Sequence, residues 1–180
     1  MGVAHLKAIA AINGSEVTVL QSRTQEGAEK VAKEYGVPLA TTDYDAAIQR
    51  DDVDAVIITG PTQIHADQAE AAMRAGKHVI IEIPICDSAA DAERIVRVQK
   101  ETGVTAMAGH VRRFNPSHQY LTKKFRAGEI KLQQLQAHTH FFRRKNMNAL
   151  GQARSWVDHL LWHHACHTVD LFAYQTGESV

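Results

Sequence analysis

The sequence has 180 residues, of which 44% are hydrophobic and 22% are charged, a composition typical of a globular protein of one or two domains. Its 20 basic and 20 acidic residues give a formal net charge of zero, which argues against a general nucleic-acid or membrane-surface binder, since both need a basic excess. Two cysteines, Cys86 and Cys166, are too few for a disulfide framework and predict reduced thiols in a cytoplasmic protein. No apolar run approaches the ~20 residues of a membrane span, and no signal peptide is recognisable.

Short apolar strands alternate with amphipathic helices through the first 110 residues. The predicted helices cover 3–12, 25–35, a short segment from the Thr42–Asp43 cap to Arg50, 61–75, and a long segment from a cap at Asp87 or Ser88 to about 102. The predicted strands cover 16–21, 54–60, 78–83 and 104–109. This alternation predicts a parallel sheet with right-handed crossovers.

The pattern changes after Gly109. A helix is predicted over 116–127, a half-exposed strand over 131–142, a polar and basic loop over 143–154, and a second helix over 156–175. The predicted domains are therefore 1–112, a Rossmann-type domain, and 113–180, the beginning of an α+β substrate and dimerisation domain.

A nucleotide-binding motif is indicated at the amino terminus. A dinucleotide-binding fold begins with a strand, a glycine-rich turn and a helix whose amino terminus receives the pyrophosphate. Gly2 precedes the first predicted helix and occupies the position of the last glycine of that turn. The predicted fold class is α/β: a Rossmann-type parallel sheet lacking its first strand, followed by the truncated start of the α+β domain. Without that strand, its two neighbours are expected to keep unpaired edges.

The residues after the strand predicted over 16–21 bear on the choice of cofactor. In this fold an Asp or Glu at that point bonds the ribose 2′-hydroxyl group of NAD, whereas an Arg accommodates the 2′-phosphate of NADP. This sequence has Ser22, Arg23 and Thr24, and no carboxylate. Such donors suit a phosphate, so NADP is favoured over NAD. The alternative is that Arg23 is a solvated loop residue.

Three segments resemble the family of glucose–fructose oxidoreductases and inositol dehydrogenases. They are GVAHLKAI (2–9), DAVIITGPTQIHADQAEAAMRAGKHVIIEIP (54–84) and GHVRRFNPSHQY (109–120). They are similar to the helix after the glycine turn, to the cofactor-lining strand, helix and strand, and to the inter-domain crossover of that family. Together with the loop after the strand at 16–21, the resemblance predicts the following cofactor-binding residues: Gly2, His5, Ser22, Arg23, Thr24, Thr59, Pro61, Thr62, His65, Glu82, Ile83 and Pro84.

The sequence departs from the family pattern at two points. Family members usually carry Glu-Lys-Pro where this chain has Glu82-Ile83-Pro84, so the lysine that helps to position nicotinamide and substrate is absent. They also carry an Asp four residues before the active-site His, and here His163 precedes His167. Both departures argue against ordinary sugar or alcohol oxidation.

The departures fit one branch of the family, which uses NADP to oxidise the cyclic hemiacetal of a semialdehyde dicarboxylate to a pyrone dicarboxylate during protocatechuate breakdown. The segments similar to that branch are 82–84, 112–120, 141–149 and 154–175. The resemblance implies a small-molecule dicarboxylate substrate and a homo-oligomer, a dimer, in the full-length form.

Hemiacetal oxidation needs a hydride acceptor, a base for the hydroxyl proton and cations for the two carboxylates. His167 is the candidate base, because an imidazole titrates near neutral pH. His163 lies one helical turn earlier on the same face, where it can orient His167 or bond the ring oxygen of the substrate. The alternative is that both are structural histidines on an amphipathic helix. The predicted substrate-binding residues are Arg112, Arg113, Asn115, Arg143, Arg144, Arg154, Trp156 and His159.

Arginine holds carboxylates bidentately, and one member of each adjacent pair is expected to point inward. A basic solvent face is the alternative, and interleaved Phe114, Phe141 and Phe142 raise phosphate binding in a nucleic-acid protein as another, which the zero net charge weakens. Histidines at 159, 163 and 167 have spacings that suit zinc. With no HExxH, no CxxC and no further ligand set, no metal site is expected.

Two other functions stay open at this stage. One is a catalytically silent nucleotide-binding fragment, or a truncated reading frame, since the first strand of the sheet and most of the second domain are expected but not found in the sequence. The other is a sugar or polyol dehydrogenase of the same family, against which the missing lysine argues.

Overall fold

The computed structural model describes residues 2–140, 142, 147, 151–153 and 161–177. In chain order the elements are α1 (Gly2–Ile9), β1 (Val19–Gln21), α2 (Gln25–Tyr35), β2 (Leu39–Thr41), α3 (Tyr44–Ile48), β3 (Ala55–Ile58), α4 (His65–Arg74), β4 (His78–Ile81), α5 (Ala89–Thr102), β5 (Ala106–Ala108), α6 (Pro116–Arg126) and α7 (Cys166–Thr176). Short 3₁₀ turns cover Thr62–Ile64 and Val111–Phe114, and a π-helical turn over Leu161–Ala165 leads into α7.

All five described strands are parallel and form two separate sheets. β1 pairs with β2 in one sheet, and the other has the order β3-β4-β5. Within the described residues, β1 and β3 therefore each keep one unpaired edge, as expected for a Rossmann-type sheet without its first strand. Because β3 lies at an edge, its Ala55 is exposed and its Val56 is half-buried. The sequence had predicted a strand buried on both faces, and that prediction is wrong for these two residues.

Local signals set the ends of the helices. Thr24 caps α2, its side-chain oxygen accepting a hydrogen bond from the backbone N–H of Gly27, and Gly36 ends the helix with a φ of 69°. Ser88, rather than Asp87, caps α5, and Gly103 ends it with a φ of 71°. Capping side chains satisfy free N–H groups, and glycine takes the left-handed conformation without steric cost. These two helices consequently lie where the sequence predicts them.

The larger hydrophobic core lies between the three-stranded sheet and helices α4 and α5. Its fully buried members include Met73 of α4, Val98 of α5, and Val79 and Ile81 of β4. A smaller cluster joins Leu6 of α1 to Ala32 and Val37. The larger core fixes β4 and β5, and so the loops that follow them.

The carboxy-terminal helices pack together and dock onto the carboxyl ends of the strands. α7 contacts both α6 and the 3₁₀ turn 111–114. The indole Nε1 of Trp162 donates a hydrogen bond to the backbone oxygen of Cys86, 3.1 Å away. This contact holds the start of the helical segment against the loop that follows β4.

Four predictions are corrected. The strand predicted over 131–142 is wrong, because residues 131–140 adopt no regular structure and no described strand lies beside them to pair with their backbone groups. β2 was not predicted, because Pro38 and its three-residue length give a weak signal. The first helix ends at Ile9 rather than at residue 12. The helix expected from Pro61 begins at His65, after a 3₁₀ turn.

The predicted loop 143–154 and the first residues of the predicted helix 156–175 lie largely outside the described residues. An isolated antiparallel bridge joins Met147 to Ala153. Both cysteines are free. Among the residues described, no helix is long and apolar enough to span a membrane.

Candidate active site

The candidate site lies at the carboxyl ends of β3, β4 and β5. Parallel strands bring these ends to one edge of the sheet, which is where ligands bind in open α/β folds. Thr59 follows β3, Glu82 follows β4 and Gly109 follows β5. Helix α7 brings His167 to the same region, where its ring centroid lies 6.5 Å from that of His110, shortly after β5.

The first helix meets this edge at its amino terminus. A Cβ atom at Gly2 would lie 3.2 Å from the hydroxyl oxygen of Thr59, so the absence of a side chain allows a close approach. The Nε2 atom of His5 lies 2.6 Å from Oε1 of Glu82, whose side chain is buried. The structure thus brings together four residues predicted to bind the cofactor.

The electrostatic surroundings of His167 suit a base. Burial lowers the pKa of its imidazole from 6.5, as does the positive charge of Arg112, while the carboxylates of Glu82 and Asp170 oppose that shift. The net direction is downward, so the neutral form, which can accept a proton, predominates at pH 7. The Nδ1 atom of His167 is buried and has no hydrogen-bond partner among the described residues.

The two adjacent arginines of the crossover have different surroundings. Nε of Arg113 lies 2.9 Å and 3.1 Å from the two carboxylate oxygens of Asp170, and its terminal nitrogen donates a further, short hydrogen bond. The same guanidinium lies over the ring of Tyr174. Arg112 is half-buried and has no ion pair within the described residues, so it is the member of the pair available to an anion.

His65 has a structural role. Its ring is 2% exposed, with Nδ1 2.8 Å from the oxygen of Pro84 and Nε2 2.9 Å from the oxygen of Gly60. Both nitrogens therefore face backbone oxygens of the turn after β3 and the loop after β4, and in a neutral imidazole one of them donates a hydrogen bond. Cofactor binding by His65 stays a prediction.

The loop after β1 presents the residues on which the NADP prediction depends. The backbone N–H of Ser22 bonds the oxygen of Thr41, which fixes the backbone at the end of β1, and Arg23 is exposed. Thr24 is committed to capping α2. Ser22 and Arg23 can therefore receive an anionic group, whereas the Thr24 hydroxyl is already used.

Some of the remaining predicted site residues lie within the part of the chain that the structure describes, and others lie outside it. Pro61 and Thr62 form the start of the turn before α4, and Ile83–Pro84 is a cis peptide bond in the loop after β4. The side-chain oxygen of Asn115 caps α6 through the N–H of Ser117, so it is committed locally. The predicted substrate residues outside the described ones are Arg143, Arg144, Arg154, Trp156 and His159.

Two site residues were not predicted from the sequence. Asp170 holds Arg113, and its Oδ2 lies 3.3 Å from Nδ1 of His110. Asp170 follows His167 by three residues, a helical spacing that places both on one face. That spacing is the sequence signal from which Asp170 could have been predicted. His110 lies in the crossover segment beside the arginines, and no spacing in the sequence marks it as a site residue. Within the described residues, no group of three or more His, Cys, Asp or Glu side chains is placed to hold a metal ion.

Comparison with known proteins identifies the family. Residues 1–110 match the family described as "Oxidoreductase family, NAD-binding Rossmann fold", and residues 116–180 match "Bacterial oxidoreductases, C-terminal". The chain belongs to the family of glucose–fructose oxidoreductases and inositol dehydrogenases. That family is described as one of oxidoreductases with an NAD-binding Rossmann fold.

Three relatives illustrate the range of this oxidoreductase family. A 4-carboxy-2-hydroxymuconate-6-semialdehyde dehydrogenase from Sphingobium sp. is 57% identical over 99% of this chain and 57% of its own length. An oxidoreductase domain protein from Kribbella flavida has the same fold, with a TM-score of 0.83, 27% identity, and coverage of 99% of this chain and 50% of its own.

The third is a 3-ketoreductase from Actinomadura kijaniata, solved with TDP-benzene and NADP. It has a TM-score of 0.63 and 34% identity, with coverage of 69% of this chain and 39% of its own. The chain thus spans little more than half the length of the dehydrogenase that it matches.

Proposed function

We propose that this chain carries the cofactor- and substrate-binding parts of an NADP-dependent dehydrogenase. Its reaction is the oxidation of the cyclic hemiacetal of 4-carboxy-2-hydroxymuconate-6-semialdehyde to 2-pyrone-4,6-dicarboxylate, a step in the breakdown of protocatechuate and other lignin-derived aromatics. The observation that carries the proposal is the 57% identity, over 99% of the chain, to an enzyme of that name. In this proposal, residues 1–112 bind the cofactor and 113–180 begin the substrate domain, which dimerises in the full-length form.

The described residues fit a phosphorylated dinucleotide. The exposed Arg23 and the hydroxyl of Ser22 stand after β1, where the 2′-phosphate of NADP would be held, and no carboxylate stands there to repel it. Gly2 allows a close approach at the amino terminus of α1, where backbone N–H groups favour phosphate. When bound, NADP supplies the hydride acceptor.

His167 accepts the hydroxyl proton of the hemiacetal in this proposal. Its lowered pKa keeps the imidazole neutral at pH 7, as a general base requires. His163 lies one turn earlier and half-buried, where it can orient His167 or bond the ring oxygen of the substrate. The imidazole takes the proton from the hydroxyl oxygen while the carbon that bears this hydroxyl loses a hydride, for which bound NADP would be the acceptor, so a ring carbonyl forms.

Arg112 binds one carboxylate of the substrate. Its charge acts on His167, so an anion held by this guanidinium lies close to the base. Arg113 is already paired with Asp170, and the second carboxylate is assigned to the predicted residues Arg143, Arg144 and Arg154. Two carboxylates on one substrate account for the need for several cations.

The cofactor assignment is tested by thermal unfolding of the chain with and without NADP or NAD. A ligand that binds only the folded state stabilises it by about 2.7 kcal/mol at 100 times its dissociation constant, so NADP is expected to raise the midpoint more than NAD. Arg23→Ala removes a charge-assisted contact worth about 1.5–3 kcal/mol and should weaken NADP but not NAD. Arg97→Ala, at an arginine 63% exposed on α5, is the matched control.

Turnover distinguishes the remaining functions. NADPH formation with the hemiacetal dicarboxylate, lost in His167→Gln, supports the proposed reaction. A midpoint raised by NADP without turnover on any substrate favours a silent nucleotide-binding fragment. Turnover with sugars or polyols but not with the dicarboxylate would replace the proposal with a sugar dehydrogenase.

A further inference from the structure

A second imidazole stands beside His167 and has no part in the proposed reaction. His110 follows β5, and its backbone N–H bonds the oxygen of Ala108, 2.8 Å away. Its ring meets that of His167 edge to face, with centroids 6.5 Å apart and an interplanar angle of 89°. Only 19% of the His110 side chain is exposed.

The His110 ring lies against a fixed carboxylate. Its Nδ1 atom lies 3.3 Å from Oδ2 of Asp170. That carboxylate is 10% exposed and is held through both oxygens by Arg113, whose guanidinium is itself 5.2 Å from the centre of the Tyr174 ring. Because the guanidinium binds both carboxylate oxygens and also stacks on an aromatic ring, the carboxylate has little freedom to move. The His110 ring is accordingly confined between this carboxylate and the ring of His167, and its Nδ1 atom has no hydrogen-bond partner among the described residues.

We propose that His110, which lies between Asp170 and His167, is a positioning residue that holds the imidazole of His167 in the orientation its role as a base requires. This inference rests on the proposed function in taking His167 as the base. In this inference, the ion pair between Arg113 and Asp170 joins the crossover to α7 and also limits the movement of His110. A base held in one orientation raises the fraction of bound substrate in reactive geometry, and a misplacement of about 1 Å can cost ~100-fold in rate.

His110 also affects the protonation of His167. Two neighbouring imidazoles resist holding two protons, because like charges disfavour one another, and such pairs titrate in coupled steps. The groups that act on one or both rings, from the end of β4, the crossover and α7, are Glu82, Arg112, Arg113 and Asp170, and His163 and Cys166 precede His167 on the same helical segment. Since a charge on His110 opposes protonation of its neighbour, removing it is expected to raise the pKa of His167.

The test is an NMR titration of the histidine ring protons of the 180-residue chain, with the His167 signal assigned from His167→Gln. In His110→Gln, which lacks a ring, the midpoint of the His167 titration should move upward and the titration should become a single step. His110→Phe, which keeps a ring but cannot be protonated, should give the same change to a smaller extent. His138→Gln, at an exposed histidine in the irregular segment, is the control and should leave the curve unchanged.

Kinetics provide the second readout on the same variants. His110→Gln should lower kcat by about tenfold or more with little change in KM, and should move the acidic limb of the pH profile upward, because a positioning residue acts in the transition state. A His167 curve that is identical in His110→Gln, His110→Phe and the control overturns the inference. A chain that shows the coupled titration without any turnover leaves the positioning intact and refutes the proposed reaction for this chain, so the two failures are distinguishable.

Discussion

The ion pair between Arg113 and Asp170 predicts a specific loss of stability in Asp170→Asn. The Asp170 side chain is 10% exposed and that of Arg113 is 41% exposed. Breaking a buried pair costs about 3–5 kcal/mol, whereas an exposed pair contributes about 0–1 kcal/mol. Because Arg113 reaches solvent and asparagine keeps one acceptor oxygen, we expect an intermediate loss of about 2 kcal/mol in the free energy of unfolding.

The matched control is Asp67→Asn. Asp67 also binds an arginine, with its carboxylate 2.8 Å from Arg94, but its side chain is 75% exposed and Arg94 keeps contacts with Glu70 and Asp91. This change should cost less than about 0.5 kcal/mol. The two variants therefore make the same chemical change at the same kind of contact and differ in burial.

Urea unfolding followed by circular dichroism measures both variants. A loss of about 2 kcal/mol in a protein of this length lowers the thermal midpoint by roughly 4–8 °C, so calorimetry is an independent check. Equal losses in Asp170→Asn and Asp67→Asn would refute the reasoning, since burial would then not decide the strength of the pair. A changed denaturant slope would indicate that α7 undocks and unfolds separately.

Three further predictions concern the core, the pH dependence and the thiols. Met73→Ala should cost about 2–5 kcal/mol, because Met73 is fully buried in the larger core, whereas Met107→Ala, 41% exposed on β5, should cost less than about 1 kcal/mol in the same urea assay. Burial lowers the pKa values of His110 and His167 from 6.5, so the unfolded chain binds protons more readily and stability falls as the pH drops below 6.5. Unfolding at pH about 5 and about 7.5 should show that fall, and the double change to glutamine should reduce it. Burial raises the pKa of both cysteine thiols, so each should react with a thiol reagent at least about tenfold more slowly in the native chain than in urea, and equal rates would contradict their burial.

Local signals account for the parts of the fold that were predictable. The helix over 25–35 has its cap at Thr24 and its stop at Gly36, and it forms between those residues. The apolar runs that become β3 and β4 lie within the predicted strands, and the parallel pairing follows from the helices between them. Each of these features depends on residues within a few positions of one another.

Features that depend on distant partners were missed or wrong. Residues 131–140 alternate as a half-exposed strand does, yet they form none, because a strand needs a neighbour and none is described beside them. The surroundings of His65 were missed, since its two ring nitrogens meet backbone oxygens 5 and 19 residues away, while cofactor binding by this residue stays a prediction. The contacts that decide both features are set by chain segments that the local pattern does not include.

The sequence by itself determined the family, the alternation of strands and helices, and the residue types of the candidate site, because a motif, a cap or an apolar period is written in neighbouring residues. Only the tertiary structure decided how those residues combine. It paired Arg113 with Asp170, 57 residues later, left Arg112 without an ion pair among the described residues, and set the His110 ring against His167. The physical reason is that charge pairing and burial depend on distances through space, which spacing along the chain does not fix.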